Sequence, residues 1–383
     1  MSAPVIYMDS AASTPLDPEV LDAMLPWLTN TASAGNPSSI HSVGRAARAA
    51  VDTARELVAD LLGADFSEVT FTSGGTEADN LAIFGACAVE SRNRRSIAAS
   101  AIEHHAVLNA IHLLQERGWS VATAHPDKTG HIPPSAWESV VNSETALVTC
   151  MHGNNELGTI QDVAAAAAAA KAVEATFHVD AVQSLPWLEV NVRLLQCDTC
   201  AISGHKIYGP KGVGALYIKQ GCTVAPQLVG GSQEREKRAG TENVAAIVGF
   251  GAAARLLKTR RLDDARRVSI LRARLIESMT NTISGLQLHG EDPLLPNIVN
   301  FAVQGVEGPT LLMNLDREGI CASSGAACSS GSIEPSHVLR ALGFTNTEAA
   351  AGVRLSLGRG TTVEEIDRTA TAITRIVERV RQR

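Results

Sequence analysis

Aromatic residues are scarce in this chain of 383 residues: Phe, Trp and Tyr together make up 4%. So few rings leave no stacking surface for single-stranded nucleic acid. A positive excess is missing too, since the net charge is -7 and no Lys/Arg run is sustained, so no direct nucleic-acid contact and no membrane contact are expected. No apolar stretch approaches 18 residues, and the opening MSAPVIYMDSAAS shows no basic flank followed by an apolar run. Neither a membrane span nor a signal peptide is read from such a pattern, and the expected location is the cytoplasm. Seven cysteines, an odd number, lack the dense spacing of a disulfide scaffold, which points to reduced thiols.

What remains is ordinary globular composition, 45% hydrophobic and 19% charged. At about 150 residues per domain, the length suggests two or three domains. Short β-rich runs alternate with helical patterns: EVTFT, a helix from about Glu77, ALVTCMH, the Ala-rich DVAAAAAAAKAVEA, TFHVDA, and a run ending at Ala201. This alternation predicts a largely parallel sheet covered on both faces. From about Gly249 a long helical pattern carries the chain into a second unit, with the strands NIVNFAV and VRLSLG around the Ser/Gly-rich SSGAACSSGS. A closing helix starts at Thr362, which forms a capping box with Glu365, and Val363, Ile366, Ala370, Ile373, Val377 and Val380 give it one apolar face. There is no internal repeat.

Four stretches could carry chemistry. In VTFTSGGTEADN an apolar strand meets a Gly-Gly turn and a helix start, so the first-turn N–H groups and Thr76 can hold an anion; the alternative is a plain turn capped by Ser or Thr. No Gly-Lys-Ser/Thr follows, so it is not a P-loop. In TFHVDAVQS, Asp180 falls at the carboxyl edge of a strand, where open α/β sheets bind ligands; it could pair with a pyridinium nitrogen, ligate a metal or cap a helix. In SGHKIYGPKGVGALYI, Lys206 beside His205 reads as a surface lysine on its own. Beside an aspartate and a phosphate cradle it fits a lysine that bonds pyridoxal phosphate. Cys197-Asp-Thr-Cys200 has no second pair at metal-ligand spacing and reads as small core residues, while His104-His105 is either a polar helix start or a ring partner for a cofactor.

Taken in order, YMDSAASTPLDPEV, GNPSSIHSVGR, FTSGGTEADNLAI, IEHHAVL, MHGNNELGTIQ, HVDAVQS, SGHKIYGPKGVGALY, RAGTENV, PNIVNF, SSGAACSSGSIEPSHVLRALG and VRLSLGR span nearly the whole chain. Together they resemble the cysteine desulfurases of the NifS/IscS type, class-V aminotransferase-like enzymes of pyridoxal-phosphate fold-type I. The resemblance implies an α/β fold: residues 16–255 as a large cofactor-binding domain with a mainly parallel seven-stranded sheet, residues 256–383 as a smaller α+β domain, and residues 1–15 packed against the latter. It implies pyridoxal 5'-phosphate joined to Lys206 as a Schiff base, with Asp180 on the ring nitrogen, His104 stacked on the ring, and Asn155 and Gln183 at the phenolic oxygen. Gly75, Thr76, Ser203 and His205 would hold the phosphate, joined by Thr241 from the other subunit of a homodimer. Arg354, with Asn155, would bind the carboxylate of L-cysteine, and Cys328 would take its sulfur as a persulfide. No metal is required, although Cys328 could serve as a transient iron–sulfur ligand.

Two features qualify the resemblance. The chain ends with its last helix, without the tail that housekeeping members use to meet an iron–sulfur scaffold, and RAGTENV is closer to nitrogenase-type and selenocysteine-lyase-like members. The sulfur acceptor is therefore open among a tRNA-thiolation enzyme, a DNA-modification system and an assembly protein. Selenocysteine lyase is the rival enzyme, and a non-catalytic sulfur carrier or scaffold the rival of another class. Lacking bulky side chains, Ser323 to Ser332 is expected to be mobile unless a partner pins it.

Overall fold

The backbone follows the alternation read in the sequence. A computed structural model describes residues 5–324 and 335–382, and Cys328 with most of its Ser/Gly stretch lies outside them. Its strands are β1 (Ile6–Tyr7), β2 (Val69–Thr72), β3 (Ser96–Ser100), β4 (Ser120–Ala124), β5 (Thr145–Met151), β6 (Thr176–Asp180), β7 (Thr199–Ser203), β8 (Gly214–Ile218), β9 (Leu286–His289), β10 (Ile298–Val303), β11 (Ile320–Cys321) and β12 (Val353–Ser356). Seven of them form one sheet in the order β2-β8-β7-β6-β5-β3-β4, mostly parallel, with β8 antiparallel to both its neighbours. Every residue of β5 and β7 is buried, as a parallel sheet covered on both faces requires. The Ala-rich segment forms the helix Val163–Ala172, capped by the Asp162 carboxylate, with Val163, Ala166, Ala167 and Ala170 turned inward. Small side chains let that helix lie close to the sheet.

A second, antiparallel sheet has the order β12-β10-β9, and β1 pairs in parallel with β11. One helix of 39 residues, Val244–Thr282, joins the two regions. Its first turns, Ala246 to Leu257, pack in the core around the large sheet, whereas Val268, Leu271, Leu275 and Met279 pack in the core around β10 and β12. Ile6, Met8 and Ala11 also belong to the second core. The closing helix Val363–Arg381 begins with the Thr362–Glu365 capping box. Ser323 is held by paired backbone bonds with Arg354, and the stretch expected to be mobile lies from residue 325 onward outside the described residues.

A buried ion pair ties an irregular segment to this frame. Glu234, Arg235 and Glu236 all have left-handed backbone, with φ of +46°, +56° and +65°. Such conformations cost non-glycine residues roughly 1–3 kcal/mol each. They persist because Arg55, on the helix Ser42–Leu62, grips the Glu234 carboxylate through both guanidinium ends at 2.6 and 2.7 Å, and the Phe71 N–H donates to the same carboxylate at 2.9 Å. The two side chains are only 3% and 2% exposed. Removing one partner of a buried pair leaves the other charge stranded, so Glu234→Gln is expected to lower unfolding stability by about 3–5 kcal/mol in urea titrations. Breaking the exposed Lys258–Asp60 pair by Lys258→Gln should cost less than about 1 kcal/mol in the same assay.

Candidate active site

The carboxyl ends of β2, β6 and β7 converge on a cavity of about 400 Å³. It is lined by Gly75, Thr76, His104, Asn155, Asp180, Gln183, Ser203, His205, Lys206 and Arg354, so ten of the residues singled out in the sequence meet at one place. Thr241 is exposed and does not line it, and Cys328 lies outside the described residues.

One end of the cavity is an anion cradle. Gly74 has φ of +156°, a backbone state reserved for glycine, and the helix Gly75–Ala88 follows at once. No side chain caps that helix, so the Ser/Thr-capped alternative does not hold: Thr72 donates instead to the Gly74 carbonyl at 2.9 Å. Glu77 is drawn aside by the Ser73 N–H at 2.7 Å and by Arg238 at 2.8 Å, which leaves the first-turn N–H groups facing the cavity. A Cβ on residue 75 would come within 2.9 Å of Val182. Beside the cradle, where a Cβ on residue 75 would lie 3.6 Å from the Ser203 Cβ, the Ser203 hydroxyl is buried with no hydrogen-bond partner. His205 is kept neutral, its pKa lowered to about 4 by burial and by the charges of Lys206 and Lys211.

The other end carries the reactive groups. Lys206 ends the short 3-10 turn that follows β7, and its Nζ donates to the Ala11 and Ala12 carbonyls at 2.5 and 2.9 Å. Burial lowers its pKa to about 8, the charge of Arg354 adding to the effect against the opposing pull of Asp180 and Asp9. Asp180, the last residue of β6, accepts from the Val182 N–H at 2.9 Å. Burial raises its pKa to about 6, partly offset by that N–H and by Lys206. His104 caps the helix His105–Glu116 through Nδ1, which accepts from the Ala106 N–H at 3.1 Å; burial and nearby Lys206 lower its pKa to about 4. Gln183 donates to the Ala11 carbonyl at 2.7 Å.

Arg354 is aimed by its partners. Its guanidinium donates to the Asp9 carboxylate at 2.7 Å and to the Asn155 carbonyl at 2.8 Å, while its Nε is buried without a partner. The sequence reading gave no role to Asp9, Asp79 or the Ala11 and Ala12 carbonyls. Nothing local marks them, because Asp9 and Arg354 stand 345 positions apart. Cys197 and Cys200 are interior residues, and among the described residues no cluster of His, Cys, Asp or Glu could hold a metal ion. No helix among these residues is long and apolar enough to cross a membrane.

The sequence matches the family described as Aminotransferase class-V over residues 6–369. The chain belongs to that family. A cysteine desulfurase IscS from Dictyoglomus turgidum is 43% identical over 377 residues, covering 98% of this chain and 95% of that one. A solved NifS-like protein superposes with a TM-score of 0.91 at 33% identity, covering 98% of this chain and 99% of the other. The structure titled SspA in complex with cysteine gives a TM-score of 0.81 at 34% identity, covering 93% and 100%.

Class-V enzymes of this kind depend on pyridoxal 5'-phosphate, and the cavity suits it. The unpartnered Ser203 hydroxyl and the free N–H groups at Gly75 and Thr76 match a phosphate, and the Lys206 amine and the Asp180 carboxylate line the same cavity. Only the free amine attacks an aldehyde, and with a pKa near 8 about a tenth of Lys206 is free at pH 7. Cofactor capture, followed by the growth of visible absorption after mixing, should therefore accelerate as pH rises and level off above pH 8. A midpoint near 10 would indicate an ordinary exposed lysine.

Proposed function

We propose that the protein is a cysteine desulfurase, taking L-cysteine to L-alanine and leaving the sulfur as a persulfide on Cys328 for an acceptor protein. The observation that carries this reading is the meeting of Lys206, Asp180 and Arg354 in one cavity beside an anion cradle. In this reading residues 16–255 are the cofactor-binding domain, residues 256–383 the smaller domain bearing Cys328, and residues 1–15 pack with the latter.

Pyridoxal phosphate, when bound, supplies an aldehyde for the substrate amine and a ring that withdraws electrons. Gly75, Thr76, Ser203 and His205 would hold its phosphate, with Thr241 of a second subunit, and Asn155 and Gln183 would address its phenolic oxygen. Arg354, already oriented by Asp9 and the Asn155 carbonyl, takes the substrate carboxylate in a charge-assisted contact. Lys206 removes the Cα proton of the substrate, and its lowered pKa suits that task near neutral pH. Asp180 stays ionised above about pH 6 and so keeps a proton on the ring nitrogen. His104, neutral and buried in the lining of the cavity, would meet the ring and could exchange protons there. The Cys328 thiolate attacks the substrate sulfur: an S–S bond forms, the C–S bond breaks, and protons complete alanine. An iron–sulfur assembly protein, a tRNA-thiolation enzyme or a DNA-phosphorothioation system then receives the sulfur.

The test is alanine release from L-cysteine, compared with L-selenocysteine. Brisk turnover of cysteine is expected; negligible turnover of cysteine beside rapid turnover of selenocysteine would overturn the reading. Lys206→Ala should lower kcat by about 10²–10⁴-fold. Cys328→Ala should keep the colour of the bound cofactor and lose persulfide, detected by alkylation and mass measurement. Unchanged sulfide release by that variant would remove Cys328 from its role.

A further inference from the structure

Of the two asparagines in MHGNNELGTIQ, Asn155 lines the cavity, whereas Asn154 does not and is 0% exposed. After β5 the chain turns back on itself: the Asn154 N–H donates to the Thr159 carbonyl at 2.9 Å, the Gly158 N–H donates to the Asn154 carbonyl at 3.0 Å, and Gly153 pairs antiparallel with Ile160. Gly158 closes this turn with φ of +84°, a state open to glycine. The Asn154 side chain fills the turn with bonds to three backbone groups. Its Oδ1 accepts from the Glu156 N–H at 2.9 Å and the Leu157 N–H at 2.8 Å, and its Nδ2 donates to the Ile102 carbonyl at 3.0 Å. These roles are fixed by the partners: a backbone N–H only donates and a carbonyl only accepts, so the amide has one possible orientation.

A peptide group is planar and trans, so its N–H and C=O point in opposite directions. The Glu156 N–H and the Asn155 C=O belong to one such group. With the N–H tied to Asn154, the carbonyl faces the other way, where it accepts from the Arg354 guanidinium at 2.8 Å. One peptide further, the Glu156 carbonyl accepts from Asn300 Nδ2 at 3.1 Å, and Asn300 stands opposite Arg354 in the register of β10 and β12. The turn thus meets the strand pair that carries Arg354 through two adjacent carbonyls. Half a turn of the Asn155–Glu156 peptide would set an N–H against the guanidinium, donor against donor, and Arg354 would lose one of the two contacts that aim it.

We propose that Asn154 is a positioning residue for the substrate carboxylate: its side chain locks the Asn155–Glu156 peptide in the orientation whose carbonyl aims the Arg354 guanidinium. This deepens the functional reading above and rests on it, because Arg354 is there the group that takes the carboxylate of L-cysteine. With the Asn155 carbonyl on one terminal nitrogen and the Asp9 carboxylate on the other, the guanidinium is held, and its buried Nε has no partner among the described residues. An arginine carries five N–H groups, so donors remain for a carboxylate after both contacts are made. Holding a long, flexible side chain in place beforehand removes an ordering cost that substrate binding would otherwise bear.

The experiment is a titration of the visible cofactor band, in protein loaded with pyridoxal phosphate, by L-alanine and by ethylamine, two amines that differ by the carboxylate. In the wild-type protein alanine is expected to bind the more tightly. Asn154→Ala should weaken alanine by roughly tenfold, the worth of one hydrogen bond to a charged group, and leave ethylamine within about twofold. Weakening of both alike, or of neither, overturns the proposal, since a residue that merely holds the turn together would not distinguish them. Hydrogen exchange in the wild-type protein gives a second reading that does not require the variant to fold. The Glu156 and Leu157 amides should exchange at least about 100-fold more slowly than in an unstructured peptide, and exchange at the unstructured rate overturns the proposal. Wild-type protein that gains no visible band with pyridoxal phosphate removes the cofactor reading and this proposal together. A visible band with alanine and ethylamine affected alike by Asn154→Ala removes this proposal alone.

Discussion

The register of β6 against β7 governs the site. Parallel pairing sets His178 opposite Thr199 and Asp180 opposite Ala201, and β7 then runs into the turn that ends at Lys206. Side chains along a strand alternate between faces, so a slip of one residue would carry Asp180 to the far side of the sheet and part His178 from Thr199. The antiparallel partner β8 fixes the same strand from its other edge, pairing Ser203 with Gly214. The aspartate is thus positioned by backbone hydrogen bonds buried in the sheet, and the lysine by the turn that leaves β7, where the Gly204 N–H donates to the Val213 carbonyl and the Ile207 N–H to the Gly204 carbonyl.

Burial sets the chemical character of these groups. The same lack of water lowers the Lys206 pKa to about 8 and raises that of Asp180 to about 6, which leaves a window in which the base is partly free and the aspartate ionised. Both histidines at the rim, His104 and His205, are neutral for the same reason. The site works as one electrostatic unit, because once solvent is excluded the charges act on one another and add to or offset the effect of burial.

Much of this was legible in the residues. The fold class showed because apolar runs such as ALVTCMH alternate with helical segments, and the cradle, Asp180 and Lys206 showed because each sits in a short stretch whose types make sense only together. Helix starts were read late: the cradle helix begins at Gly75 and not at Glu77, since the turn spends only one residue, Gly74, in its unusual conformation. The long helix begins at Val244, capped by the Asn243 side chain, ahead of the pattern that begins near Gly249. Asp9 and Asp79 escaped for different reasons. Asp9 acquires meaning from a partner at the other end of the chain, and Asp79 looks like one more acidic residue in a helix start until the fold buries it against His178.

The opening segment has a temporal consequence. Residues 6 to 12 leave the ribosome well before their partners: Lys206 is 195 positions beyond Ala11, β11 pairs from Ile320, and Arg354 is 345 positions beyond Asp9. The large sheet can close while this strip still waits, since none of its strands belongs to it. The pocket is therefore among the last parts of the molecule to be completed, and an unfinished chain has no assembled site in which to start chemistry.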